Sequence, residues 1–389
     1  MSSLSRVDDA FLLVKDGVIQ DFGSMKRLES EIKIPKAVID AKNKMVIPAY
    51  CDSHTHLVYA SSREQEFTDR IKGLTYQEIA SRGGGILNSS KKLRDASEEE
   101  LFQSAWNRLD EIMMQGTCAV EIKSGYGLST ESELKMLHVI RRLKEEHPLT
   151  IRSTFLGAHA VPPEYKNNKE GYIDLLIHEM MPKIADEKLA DYCDVFCEAG
   201  YFSKAETIKI LAAAREYGMT PKIHAEQLSH HGGIEAGVET GAISVDHLEY
   251  CNENDIALLG KSSVMPTILP GAQFFLQLPH PPARKMIDSG LPVAIASDYN
   301  PGSSPSGNMN LMMALSCIQY KMTPEEVINA ATINSAYAMG LEQTHGSIAI
   351  GKKANVLIMK DIPSLAYIPY SFGSNLIDAV IVDGQVMRA

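Results

Sequence analysis

Along the middle of the chain, short apolar runs alternate with longer stretches whose apolar residues recur at helical spacing. Runs of four to eight such residues read as buried strands, and three- and four-residue periodicity reads as amphipathic helix. This places strands at 45–53, 118–123, 150–157, 192–197, 220–225, 243–246, 262–268 and 292–297. Helices are predicted from Glu98 to Gln115, Thr130 to His147 and Lys204 to Tyr217. Eight strand–helix units over roughly 290 residues form the pattern of a closed (β/α)8 barrel, whose active site lies at the carboxyl ends of the strands. A doubly wound sheet also alternates strand and helix, but it needs a glycine-rich phosphate turn after its first strand. None is present there, and Gly83-Gly84-Gly85 falls in a long loop, as a mobile lid or tight turn.

The two ends read differently. Phe11 to Lys15, the turn Asp16-Gly17 and Val18-Ile19-Gln20 make a hairpin signal. The apolar runs 354–359 and 379–387 resemble it. One small β domain assembled from both ends is therefore expected, with boundaries 1–48 and 341–389, and a barrel between them at 49–340.

Composition narrows the function classes. With 44% hydrophobic and 22% charged residues the chain has the balance of a soluble globular protein. A net charge of -11, with Lys91-Lys92 and Arg141-Arg142 as isolated basic pairs, argues against a nucleic-acid partner. No stretch approaches the roughly 18 apolar residues of a membrane span, and Met1 to Asp9 lacks the basic and apolar regions of a signal peptide. Six cysteines without C-x-x-C spacing read as free thiols in a reduced, cytoplasmic protein.

Candidate chemistry gathers at the predicted strand ends. In His54-Thr55-His56 the two-residue spacing puts both imidazoles on one face of a strand, about 6.6 Å apart, where they can share a cation. His224, His247 and Asp298 each end a further apolar run, and His159 follows the third. Neutral imidazoles with a carboxylate suit a borderline divalent ion such as zinc or iron. Other residues read less sharply. The adjacent His230-His231 point to opposite faces, and His138, His147 and His178 lie on predicted helix surfaces. Glu226, Glu198 and Lys123 are open between a site and a structural role.

Several segments narrow this reading: Pro48 to His56, Glu121 to Leu128, Thr154 to Ala160, Lys222 to Gln227, Asp246 to Glu249 and Ser297 to Ser303. On these motifs the chain resembles the amidohydrolase superfamily and, more narrowly, its imidazolonepropionase family, from about Val14 onward. The resemblance implies a TIM barrel of the metal-dependent hydrolase type with a small β-sandwich domain. It implies one divalent metal ion, zinc or iron, held by His54, His56, His224 and Asp298. Substrate contacts are implied for Arg63, Tyr76, Tyr126, His159, Gln227, Asn300, Gly302 and Ser303, and a proton-handling role for His247. The implied substrate is 4-imidazolone-5-propanoate, opened to N-formimidoyl-L-glutamate by a cytoplasmic homodimer.

On the residues themselves, Asp298 can take a proton from water and return it to the departing ring nitrogen. The planar fork of Arg63 suits a propionate. Two departures from the superfamily pattern matter. Phe196-Cys197-Glu198 carries no lysine to bridge two metals, and Gln227 stands where some members have glutamate. The amino terminus is also short by the family pattern, which bears on the small domain. A purine or pyrimidine aminohydrolase, another cyclic amidohydrolase, and a non-catalytic barrel remain the alternatives.

Overall fold

The computed structural model describes residues 1–31, 37–74, 78 and 84–388. Its centre is an eight-stranded parallel sheet in sequential order: β4 (Tyr50–Thr55), β5 (Thr117–Lys123), β6 (Thr150–Ala158), β7 (Tyr192–Cys197), β8 (Thr220–Ala225), β9 (Ser244–His247), β10 (Met265–Ile268) and β11 (Ala294–Ile295). The ends of this sheet meet through a parallel bridge between Thr55 and Tyr299. There His56 N donates to Tyr299 O at 2.9 Å and Asp298 N to His54 O at 3.0 Å.

Alternation explains how such strands can be both buried and chemically rich. On β5, Cys118, Val120 and Ile122 join the main apolar core, while the alternate residues Glu121 and Lys123 bond to other strands' side chains inside the barrel. The same parity holds on β8, where Ile223 packs outward and Lys222 and His224 turn in. Helices between strands start where capping residues dictate. Ser97 and Ser203 form capping boxes with Glu100 and Glu206, opening helices Glu98–Met114 and Lys204–Glu216 at the predicted positions.

The first predicted strand, 45–53, is two strands. Val46–Pro48 (β3) pairs antiparallel with Val356–Met359 (β12), whereas Tyr50 begins the barrel. Consecutive amides part company at this point: Ala49 N donates to Asn355 O at 3.0 Å and Tyr50 N to Gly116 O at 2.9 Å. The four-stranded sheet is completed by β13 (Ile377–Val382) and β14 (Gln385–Arg388), so the apolar run 379–387 is a hairpin turning at Asp383-Gly384. Both residues of that turn have positive φ, as do Asp16-Gly17 between β1 (Ala10–Lys15) and β2 (Val18–Ser24), the geometry hairpin twist favours. Leu12 of β1 packs on Val356, Ile358, Ala379 and Ile381, placing the amino-terminal hairpin against the four-stranded sheet.

The eighth strand is shorter than the expected 292–297. Beyond Ile295 the chain leaves its ladder because Ser297 turns to Asp52, with N–H and Oγ donating at 2.9 and 2.5 Å. His147, read as a surface residue, is buried with its ring edge-on to Trp106, centroids 4.7 Å apart. His178 is exposed and His138 partly so. No helix among the described residues is long and apolar enough to cross a membrane.

Gly116 seats the small sheet on the barrel. Its φ is +102°, and a Cβ there would lie 2.8 Å from both Ile377 Cδ1 and Leu357 Cδ1. Gly116→Ala is therefore expected to destabilise the protein by about 2–3 kcal/mol through backbone strain and overpacking. Urea unfolding would measure this, and a change below about 0.5 kcal/mol would mean that the two sheets do not press together at this point.

Candidate active site

The carboxyl ends of β4, β8 and β9 and the segment after β11 bring His54, His56, His224, His247 and Asp298 into one buried cluster. His54 Nε2 lies 3.1 Å from His224 Nε2 and 3.7 Å from Asp298 Oδ1, and His56 Nε2 lies 3.4 Å from the same oxygen. Donor atoms of His54, His56 and Asp298 fall within 4.8 Å of one another, as do those of His54, His224 and His247. Backbone strain concentrates here: Glu226, His247, Leu248 and Asp298 all have positive φ. Such conformations persist in non-glycine residues only where surrounding contacts impose them. Each of these residues follows or ends a strand, and the left-handed turn redirects the chain across the barrel mouth.

The imidazoles are oriented from below. His54 Nδ1 is 2.6 Å from Asp246 Oδ2, so the proton belongs on Nδ1 and the Nε2 lone pair faces the cluster. Asp194 Oδ2 approaches His224 Nδ1 at 3.0 Å along a bent path, while its Oδ1 accepts the His224 backbone N–H at 3.1 Å. Burial lowers His54 well below the usual imidazole range and takes His224 down to about 4, although Asp194 opposes it there. Two neutral Nε2 lone pairs facing each other at 3.1 Å leave no shared proton to relieve them. A divalent cation bound by imidazole nitrogens and a carboxylate fits this donor set.

Asp298 and His247 are pushed in opposite directions. Burial would raise Asp298, but the hydrogen bond from His56 and the charge of His247 take it down to about 2. Burial would lower His247, yet Glu249 and then Asp298 lift it above the ordinary value. Glu249 is itself fully buried, with Oε1 3.8 Å from His247 Nδ1, beyond hydrogen-bond length. The sequence signals it by its place two residues after a strand-end histidine.

The remaining predicted residues divide. Tyr126 and His159 line the cluster, with ring centroids 5.9 and 5.2 Å from that of His56, and His159 Nδ1 bonds Gly125 O at 3.1 Å. Gln227 is buried just beyond β8. Asn300 and Ser303 bond to Asp298 and to each other: Asn300 Nδ2 donates to Asp298 O and to Ser303 Oγ, both at 2.7 Å, and Ser303 Oγ to Asp298 Oδ2 at 3.1 Å. Gly302 passes so close to Arg63 that a side chain there would collide with the guanidinium. Arg63 pairs with the buried Glu66, whose other oxygen accepts Gly85 N–H at 2.9 Å. Tyr76 and Gly83 lie outside the described residues.

Glu226 and Glu198 are structural. Glu226 accepts the backbone N–H groups of His231 and Ile234, and Glu198 those of Ala199 and Leu228. His230 bonds Asp255 at 3.0 Å, outside the cluster.

Comparison with known proteins agrees with this architecture. The model of the Amidohydrolase family matches residues 45–387. The chain is 59% identical to an imidazolonepropionase of Flavobacterium johnsoniae over all of its own length and 94% of that protein. It is 43% identical to one of Alkaliphilus metalliredigens, over all of its length and 92% of that protein. Among solved structures, a zinc-bound adenosine deaminase from Xanthomonas campestris superposes with a TM-score of 0.73 at 15% identity, covering 98% of this chain and 89% of that one. A 5-methylcytosine deaminase from Klebsiella pneumoniae gives 0.75 at 17%, covering 97% and 93%. At such identities the two deaminases speak to the fold alone.

The neutral imidazoles carry a stability signature. Because His224 is lowered to about 4 from 6.5 and His54 and His159 are also lowered, the unfolded chain takes up these protons first on acidification. Chelator-treated protein should thus lose stability as pH falls from about 6.5 toward 4, by about 3 kcal/mol from His224 alone. The raised His247 acts in the opposite sense, adding stability as pH falls, and offsets part of this loss. Denaturant midpoints at pH 7, 5.5 and 4.5 would show the fall, and a flat profile would refute neutral imidazoles.

Proposed function

From the membership of this chain in the amidohydrolase family, we infer that it hydrolyses the cyclic amide of 4-imidazolone-5-propanoate to N-formimidoyl-L-glutamate, a step of histidine degradation. The observation that carries this reading is the convergence of His54, His56, His224, His247 and Asp298 in a chain 59% identical over its whole length to an imidazolonepropionase.

In this reading His54, His56, His224 and Asp298 hold one divalent cation, zinc or iron, since the same donors suit both. When bound, such a cation supplies Lewis acidity, polarising the substrate carbonyl and making water a competent nucleophile at neutral pH. The protein's own groups do the rest. Asp298, ionised at neutral pH because His56 and His247 hold its carboxyl down to about 2, accepts a proton from the attacking water. It then returns that proton to the ring nitrogen as the bond to the carbonyl carbon breaks. His247, kept basic by Glu249, carries a proton toward the carbonyl oxygen as negative charge develops there.

Arg63 binds the propionate through its planar fork. Its pairing with Glu66 aims the guanidinium across Gly302, the one residue there with no side chain to block it. Tyr126, His159 and Gln227 line the ring pocket, and Asn300, Gly302 and Ser303 shape the turn that presents Asp298.

The direct test follows the absorbance of freshly generated imidazolone propionate with purified protein and identifies the product. Formimidoyl-glutamate formed above the spontaneous rate is expected, and no acceleration by metal-loaded protein would refute the assignment. Asp298→Ala should lower kcat by about 10²–10⁴-fold with a native far-ultraviolet circular-dichroism spectrum; wild-type turnover would remove Asp298 from the chemistry. Arg63→Ala should raise KM by roughly 30-fold or more, the cost of about 2 kcal/mol for an unpaired buried carboxylate, with less effect on kcat. A KM within twofold of wild type would place the propionate elsewhere.

A further inference from the structure

Beneath the histidine cluster lies a second layer of charge that the proposed mechanism does not use. Glu121, Lys123, Asp194, Lys222 and Asp246 all have zero exposure, on four different strands. Lys123 Nζ donates to Glu121 Oε1 at 2.5 Å and to Asp194 Oδ2 at 2.8 Å, and lies 4.0 Å from Asp246 Oδ2. Lys222 Nζ bonds Glu121 Oε2 and the backbone oxygen of Ser53 at 3.0 Å, and lies 3.9 Å from Asp246 Oδ2. Barrel interiors are ordinarily filled by layers of branched apolar side chains. Burying ions instead costs several kcal/mol each, and such networks seldom exceed a hydrophobic filling in stability. The arrangement calls for a reason other than cohesion.

The reason lies in where the two aspartates end. Asp246 Oδ2 sits 2.6 Å from Nδ1 of His54, and Asp194 brackets His224 from Nδ1 and from the backbone N–H. Lys123 binds Asp194 directly, and both ammonium groups flank Asp246 Oδ2 at 3.9–4.0 Å while Glu121 ties the two lysines together. We propose that Asp194 and Asp246, held in place by Lys123, Lys222 and Glu121, are positioning residues that lock His224 and His54 in the tautomer with Nδ1 protonated and so set the affinity of the site for a divalent cation. Two ammonium groups against three carboxylates leave this layer one negative charge in excess, a field of the right sign for a cation seated above it.

This inference rests on the reading of His54 and His224 as cation ligands, so it needs one readout that involves no cation. In chelator-treated wild-type protein, nitrogen-15 spectra of the histidine side chains should show His54 and His224 neutral with the proton on Nδ1; the opposite tautomer at either residue overturns the proposal, whatever the site binds. The second readout is Zn2+ affinity, by competition with a chromogenic chelator. Asp246→Ala removes the carboxylate that accepts from His54 Nδ1, and Asp194→Ala does the same for His224, so neither imidazole is held in the tautomer with Nδ1 protonated. Each should bind Zn2+ 10- to 100-fold more weakly than wild type and shift the visible spectrum of the Co2+ form. A folded variant of either kind that binds Zn2+ within twofold of wild type overturns the proposal. If one variant fails to fold, the other and the wild-type spectra still decide. Wild type that shows the expected tautomers yet binds no Zn2+ would overturn the ligand reading and, with it, the claim on affinity.

Discussion

The ionic layer in the barrel floor is the constraint on which the rest depends. Lys222 donates to the backbone of Ser53 on β4 and of Ala338, and bonds Glu121 on β5, so one ammonium fastens three distant parts of the chain. Removing any one member would strand the others in a medium that cannot solvate them. Its upper edge carries the histidine-facing carboxylates, and Asp52 does similar work beside it by holding Ser297 as the sheet closes. The aim of two imidazoles and the tie between β4 and β5 thus come from one set of buried charges, and the seam of the barrel from the neighbouring Asp52.

Much of this was legible from the sequence, for physical reasons that can be named. Buried parallel strands announce themselves as apolar runs, and helical periodicity puts helix starts at Glu98 and Lys204, where capping boxes on Ser97 and Ser203 open the helices. His54-Thr55-His56 was readable because strand parity alone puts both rings on one face. What could not be read depends on contacts between distant strands. The division of 45–53 into β3 and β4 arises because Ala49 and Tyr50 donate to partners far away in the chain, and no local pattern encodes that. Lys123 was ambiguous for the same reason: its partner Asp194 lies 71 residues away. Asp194 and Asp246 carry a local signal, charged residues at inward parity in otherwise apolar strands, but their partners are set by contacts between strands. His147 was misplaced because a helix-end histidine looks solvent-facing until Trp106 is brought beside it.

Within the cluster the environment divides labour between groups that would titrate much closer together in water. Asp298 is held near 2 by its histidine neighbours while His247 is raised by a buried glutamate. Separating an acid and a base in this way lets one site carry both proton-transfer roles at a single pH. The left-handed backbone at His247, Leu248 and Asp298 persists because surrounding contacts impose it.

The pairing of β3 with β12 has a consequence for synthesis on the ribosome. Val46 meets Ile358 across more than three hundred residues, so β3 waits for its partner until that distant strand has emerged. Chain ends that must find each other late pay the loop-closure entropy last, whereas neighbouring barrel strands pair with the next strand to appear. The order of assembly is then barrel first and clasp afterwards. Because β3 runs directly into β4, which carries His54 and is followed by His56, docking of the carboxyl-terminal strands also fastens the entry to the strand that presents these two imidazoles.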